Sequence, residues 1–147
     1  MKRILLLLTM LLTNINLMQA QTTTDSVKAA VNLLFEGMKG ADAAKVRSAF
    51  ADSAILQTIT RNTTIRNESI TAFADFVGQL NPGDADERIQ FETIKIDGPL
   101  AIVWTPYKFY NKGQFSHCGV NSFQLVRLKG VWKIQYIIDT RRREGCE

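Results

Sequence analysis

From Glu87 to Arg142 the chain reads as strand, interrupted only by tight turns. Asp97-Gly98-Pro99, Asn111-Lys112-Gly113 and Lys129-Gly130 are turn sequences, the last a two-residue hairpin loop. Between them Arg88 to Ile96, Leu100 to Tyr110, Gln114 to Leu128 and Val131 to Arg142 form a meander of four long antiparallel strands. Such strands twist strongly, and the apolar side of the sheet they make needs a covering layer.

The cover is supplied by what comes before. Val27, Val31, Leu34, Phe35 and Met38 recur at helical spacing, with Thr24 or Asp25 as cap and Gly40 as stop. Asp42 caps a short second helix carrying Val46, Ala49 and Phe50. Ala54 to Thr60 and the brief Thr63 to Arg66 read as strands. Asn67 or Ser69 then caps a third helix with Ile70, Phe73, Val77 and Leu80, which Asn81-Pro82-Gly83-Asp84 ends. The fold class is therefore α+β: three N-terminal helices on a strongly curved antiparallel sheet, cone-like, with room for a small ligand between the layers.

Lys2 and Arg3 precede an apolar run from Ile4 to Leu12, and Ala20 closes a more mixed stretch. A basic start, a short apolar segment and a small residue at the cut make a secretory signal peptide. A membrane anchor needs about 20 mostly apolar residues, and Thr13, Asn14 and Asn16 interrupt this run. The expectation is a leader over 1–20 and one domain over 21–147, in a bacterial protein that is periplasmic or secreted and leaves the membrane after cleavage.

Composition fits one such domain: 147 residues, 46% hydrophobic and 22% charged. The single His excludes HExxH and two-His zinc sites, so no metal is expected. There is no GxGxxG and no Walker A lysine loop, and no cofactor is expected. Removing Lys2 and Arg3 lowers the formal charge from +4 to about +2, which argues against a nucleic-acid partner. The one basic cluster, Arg141 to Arg143, reads as a solvated strand end in preference to a phosphate-binding patch.

Hairpin counting predicts which side chains share a face. The Lys129-Gly130 loop sets Phe123 opposite Tyr136, Asn121 opposite Ile138 and His117 opposite Arg142. The Lys112-Gly113 loop sets Lys108 opposite His117 and Trp104 opposite Asn121. The expected concave face then carries Ile102, Trp104, Asn121, Phe123, Leu125, Trp132, Ile134, Tyr136 and Ile138, with His117 at its end. Asp139 and Arg141 fall outside unless a bulge intervenes, and Gly119 is the expected place for one.

His117 is the first candidate general acid or base, because its unperturbed pKa lies near neutrality. Asp139 is a candidate orienting or basic carboxylate, and Arg141 could hold an anionic substrate. Tyr107, Tyr110 and Tyr136 could donate to an oxyanion. The plainer readings are a hydrogen-bonded structural His and an ion-paired strand end. Trp104 and Trp132 are core residues or pocket walls. Cys118 beside His117 points to the opposite face, which disfavours a Cys–His pair. Cys146 lies just past the strand that pairs with the one holding Cys118, so these two are disulfide candidates in an oxidising compartment.

Phe115-Ser116-His117-Cys118-Gly119-Val120-Asn121, then Trp132-Lys133-Ile134 and Ile138-Asp139-Thr140-Arg141-Arg142, resemble the nuclear transport factor 2-like superfamily. Within it the chain resembles small exported bacterial proteins labelled putative lumazine-binding. The resemblance implies the cone fold and a homodimer built through the sheet's outer face. The superfamily includes ketosteroid isomerases, polyketide cyclases, limonene-epoxide hydrolases and binding domains, and fold does not choose among them. Three functions are therefore carried forward. The first is an exported domain that binds an unidentified small molecule. The second is a proton-transfer enzyme (isomerase, cyclase or hydratase-like) using His117, with Asp139. The third is a protein-interaction module.

Overall fold

The computed structural model describes residues 22–60 and 62–146, so the expected leader over 1–20 lies outside the described residues. Helix α1 covers 22–39. Thr24 and Asp25, expected as its cap, lie within it. Helix α2 is Ala43–Ala49, and Asp42 caps it by accepting from the Lys45 N–H at 2.9 Å. Helix α3 is Ile70–Val77, capped by Ser69 accepting from the Ala72 N–H.

Seven strands follow the order β1 Phe50–Ile59, β2 Ile65–Glu68, β3 Ala85–Ile89, β4 Thr93–Asp97, β5 Leu100–Asn111, β6 Gln114–Leu128 and β7 Val131–Thr140. In space the sheet runs β2-β1-β7-β6-β5-β3, with β4 also on β5. The expected Arg88–Ile96 strand is thus two strands laid end to end along β5. Pro106 of β5 explains the break, because it has no N–H to continue the ladder. Only its carbonyl is used there, accepting from the Gln90 N–H at 2.9 Å.

The sheet is mixed, not purely antiparallel. β1 runs parallel to β7 (Thr58 beside Asp139, Leu56 beside Ile137). Nothing in the hairpin turns constrains that direction, since a long chain segment separates the two strands.

Two bulges decide which side chains face inward. In β6, Tyr110 pairs with Phe115 but Phe109 pairs with His117, so Ser116 is the extra residue. In β7, Leu125 pairs with Ile134 but Gln124 pairs with Tyr136, so Gln135 is extra. Each bulge moves the side-chain alternation by one. The concave face therefore carries Ala101, Val103, Thr105 and Tyr107 of β5, while Ile102 and Trp104 point outward and are 43% and 44% exposed. Beyond Gln135, Ile137 and Asp139 turn inward, and Tyr136 and Ile138 do not. Neither bulge is at Gly119.

The core lies between α1 and this face. Val27, Val31, Leu34 and Phe35 meet Phe123, Leu125 and Ile134, all buried. Phe35 stands edge-on to Phe123 at 6.1 Å. Complete burial of Phe123 is worth about 2–3 kcal/mol.

Cys118 and Cys146 are joined, with Cα atoms 5.8 Å apart. The bridge and a backbone pair between Cys118 and Arg142 fasten the tail after β7 to β6. Closing a loop of 28 residues' separation stabilises by about 3–4 kcal/mol in the chain-entropy account. Denaturation in urea with and without reductant should show that difference. A gap below about 1 kcal/mol would contradict it.

Candidate functional site

The bulges bring a polar group into the open end of the cone. Asp139 is 6% exposed, yet it has three partners. Thr58 Oγ1 donates to its Oδ1 at 2.5 Å, while Tyr107 Oη at 3.2 Å and Arg141 Nε at 2.8 Å reach its Oδ2. Tyr107 Oη also lies 2.9 Å from the Thr140 carbonyl, and Arg141 Nη2 donates to Thr58 Oγ1 at 3.2 Å. Burial opposes charge on Arg141 most strongly, but the hydrogen bond to Asp139 and the charges of Asp139, Tyr107 and Glu87 together outweigh it and raise its pKa. Burial, then the charges of Asp139 and Glu87, push the Tyr107 hydroxyl pKa far up, so it remains a hydrogen-bond donor.

Gly119 makes this geometry possible. It is the cross-strand partner of Tyr107. A Cβ there would stand 1.8 Å from the Thr140 carbonyl oxygen and 2.8 Å from Tyr107 Cε1. Its missing side chain lets the phenol lie across β6 and reach β7.

Beside this cluster Asn121, 3% exposed, donates through Nδ2 to Glu87 Oε1 at 2.7 Å. Burial raises the Glu87 pKa to about 7; the Asn121 hydrogen bond and Arg141 oppose the rise, and the Asp139 charge adds to it. Glu87 is thus a carboxyl that changes charge near neutrality, the property a proton-transfer group needs.

Glu87 lines two adjoining spaces. The inner one is a cavity of about 70 Å³ walled by Leu34, Phe35, Leu56 and Phe73, with Thr58, Glu68, Glu87, Asn121, Asp139 and Arg141 as its polar groups. The outer one is a mouth of about 320 Å³ between α3 and the sheet, bounded by Phe73, Phe76, Phe109, Arg66, His117 and Arg141. Met38, Glu68, Phe73, Glu87 and Arg141 border both. About half of the lining of each space is apolar and half polar or charged, which suits a small molecule with both kinds of surface. Among the described residues, no three His, Cys, Asp or Glu side chains converge as a metal site.

Of the site residues expected from sequence, Tyr107, His117, Asn121, Asp139 and Arg141 lie together at this end. His117 packs on Phe109 with ring centroids 5.0 Å apart, and its Nδ1 is 3.1 Å from Ser116 Oγ. Trp104 and Tyr136 are corrections: the two bulges put both on the convex side, where Tyr136 donates to Gln57 Oε1 at 2.6 Å. Phe123 and Trp132 are inward, but as core, packed in with the helix layer and away from the cavity walls. Glu87, Thr58 and Glu68 were not among the sequence candidates. Glu87 sits in the charged run Asp84-Ala85-Asp86-Glu87-Arg88, whose only signal was weak alternation.

Three helices over a curved mixed sheet are the nuclear transport factor 2-like fold. Solved structures of that fold are similar over most of this chain. One is a nuclear transport factor 2-like protein of unknown function from Shewanella baltica OS155, at TM-score 0.67 and 17% identity over 84% of this chain and 96% of that one. Another, from Silicibacter pomeroyi DSS-3, gives 0.68 and 14% over 84% and 98%. A domain of unknown function with a cystatin-like fold from Nostoc punctiforme PCC 73102 gives 0.67 and 13% over 83% and 78%. At these identities the likeness is one of fold. No curated protein matches the chain. Residues 22–136 match the family described as "Putative lumazine-binding", and the chain belongs to that family.

Proposed function

We propose that this is an exported domain that binds a small, partly apolar molecule between α1, α3 and the concave sheet. The observation that carries the reading is the cavity-and-mouth pair at Glu87, where apolar side chains and convergent polar groups share the walls about equally. The name of the family is in keeping with it. Export is supported by the leader pattern and by the Cys118–Cys146 bridge. The neutral fluorophore N-phenyl-1-naphthylamine tests the pocket. It should bind the mature chain, and Leu56→Phe, which fills the inner cavity, should weaken it at least about tenfold with little change in melting temperature. Equal binding by both proteins would place the dye elsewhere and overturn the reading.

A proton-transfer enzyme is the second reading, favoured by one observation. Glu87 is a part-buried carboxyl with a pKa of about 7 on the cavity wall. It serves that reading better than His117, which borders the mouth but not the inner cavity. A rate profile with an inflection near pH 7, lost in Glu87→Gln but kept in His117→Gln, is the expected signature.

The protein self-associates, on this proposal, through the convex face. Leu100, Ile102 and Trp104 form an exposed apolar row along alternate residues of β5. Trp104→Glu should turn a dimer into a monomer in sedimentation velocity. An unchanged dimer would rule out this face.

A further inference from the structure

Beside the mouth lies a second space, a cleft of about 370 Å³. Its charged walls are all basic: Arg66, Arg141, Arg142 and Arg143, with His117, Thr58 and Ser116 between them. No carboxylate lines it. Two of the arginines are engaged elsewhere, Arg66 with Glu68 at 3.3 Å and Arg141 with Asp139 at 2.8 Å. Arg142 meets only the Gly145 carbonyl through its side chain, and Arg143 has no ion-pair partner among the described residues. The cleft thus carries two uncompensated guanidinium groups in a concave space, where field is concentrated. The Ser116 hydroxyl on the cleft wall offers a further hydrogen-bond donor to an anion.

The cleft adjoins the pocket and shares walls with it. Arg66, His117 and Arg141 line both the cleft and the mouth, and Thr58 and Arg141 line both the cleft and the inner cavity. The arginine tail is also held in place. Cys118 bridges to Cys146, and the Cys118 N–H and carbonyl pair with Arg142 at 2.9 Å each. All three arginines are exposed, as expected of a solvated strand end, and the fastening fixes where they stand beside the cleft.

We propose that the bound molecule is an amphipathic anion, its apolar body in the cavity and mouth and a carboxylate, sulfonate or phosphate in the arginine cleft. The inference rests on the pocket reading above and names its ligand class. Guanidinium forks recognise such groups bidentately, and Arg142 and Arg143 are the residues that supply the charge.

The test compares two dyes sharing one ring system. 8-Anilinonaphthalene-1-sulfonate carries the anion and N-phenyl-1-naphthylamine lacks it. The mature chain should bind the sulfonate about tenfold more tightly or better. Raising the salt from about 20 to 300 mM should erode that preference through screening, and leave the neutral dye unchanged. In Arg142→Gln/Arg143→Gln the preference should fall below about threefold, with neutral-dye affinity retained as proof of folding. Reducing the disulfide should lower the preference too. If the neutral dye binds and the sulfonate has no advantage, or the advantage survives both salt and the double substitution, the anion inference fails and the pocket stands. If neither dye binds, both fail.

Discussion

Gly119→Ala is expected to destabilise the protein by about 3 kcal/mol or more, lowering its melting temperature by about 10 °C. The effect comes from position, not from backbone conformation. The added Cβ would stand 1.8 Å from the Thr140 carbonyl oxygen and 2.8 Å from the Tyr107 ring. The carbonyl is main chain, so β6 and β7 must separate. Their separation breaks the Val120 N–H bond to Thr140 Oγ1 and the Tyr107 bond to the Thr140 carbonyl. Ligand affinity should fall as well, because Tyr107 can no longer hold Asp139 from across β6. Thermal unfolding followed by circular dichroism measures the first effect. A loss below about 1 kcal/mol would mean that the strands approach less closely than described here.

Glu87→Gln is expected to stabilise the protein at high pH and not at low pH. In the unfolded chain Glu87 ionises near its ordinary 4.5, but in the folded protein only at about 7. Between those values the folded state holds a proton that the unfolded state has released. Stability therefore falls as pH rises through this window and levels off above about 7. The full penalty is about 3 kcal/mol. Gln keeps an oxygen to accept from Asn121 Nδ2, so it removes the charge and little else. Urea unfolding at pH 4, 5.5 and 8 should show near equality at the lowest value. The variant should lead by up to about 3 kcal/mol at the highest. A constant difference across the series would show that Glu87 ionises normally in the fold.

Both effects lie where hairpin counting stops being sufficient. The turns at Lys112-Gly113 and Lys129-Gly130 are plain in sequence, and they carry Tyr110 opposite Phe115 and Leu128 opposite Val131 as expected. Past Ser116 and Gln135 the same counting fails, because a bulge needs no special residue and leaves no local mark. That single-residue slip sends Trp104 outward and draws Asp139 inward. The helices were legible because Val27, Val31, Leu34 and Phe35 serve a core that helical spacing directly encodes. Glu87 was not, since a carboxylate in a charged run looks solvated until its neighbours in space are known. The β1–β7 pairing, which brings Thr58 to Asp139, joins segments some 80 residues apart and has no local signal.

The most direct test of the pocket is a titration of the isotopically labelled mature chain with 8-anilinonaphthalene-1-sulfonate, followed by amide and methyl chemical shifts. The expected shifts gather at Met38, Leu56, Phe73, Asn121 and Arg141, around the cavity and its mouth. Shifts confined to Leu100, Ile102 and Trp104 on the convex face would contradict the account.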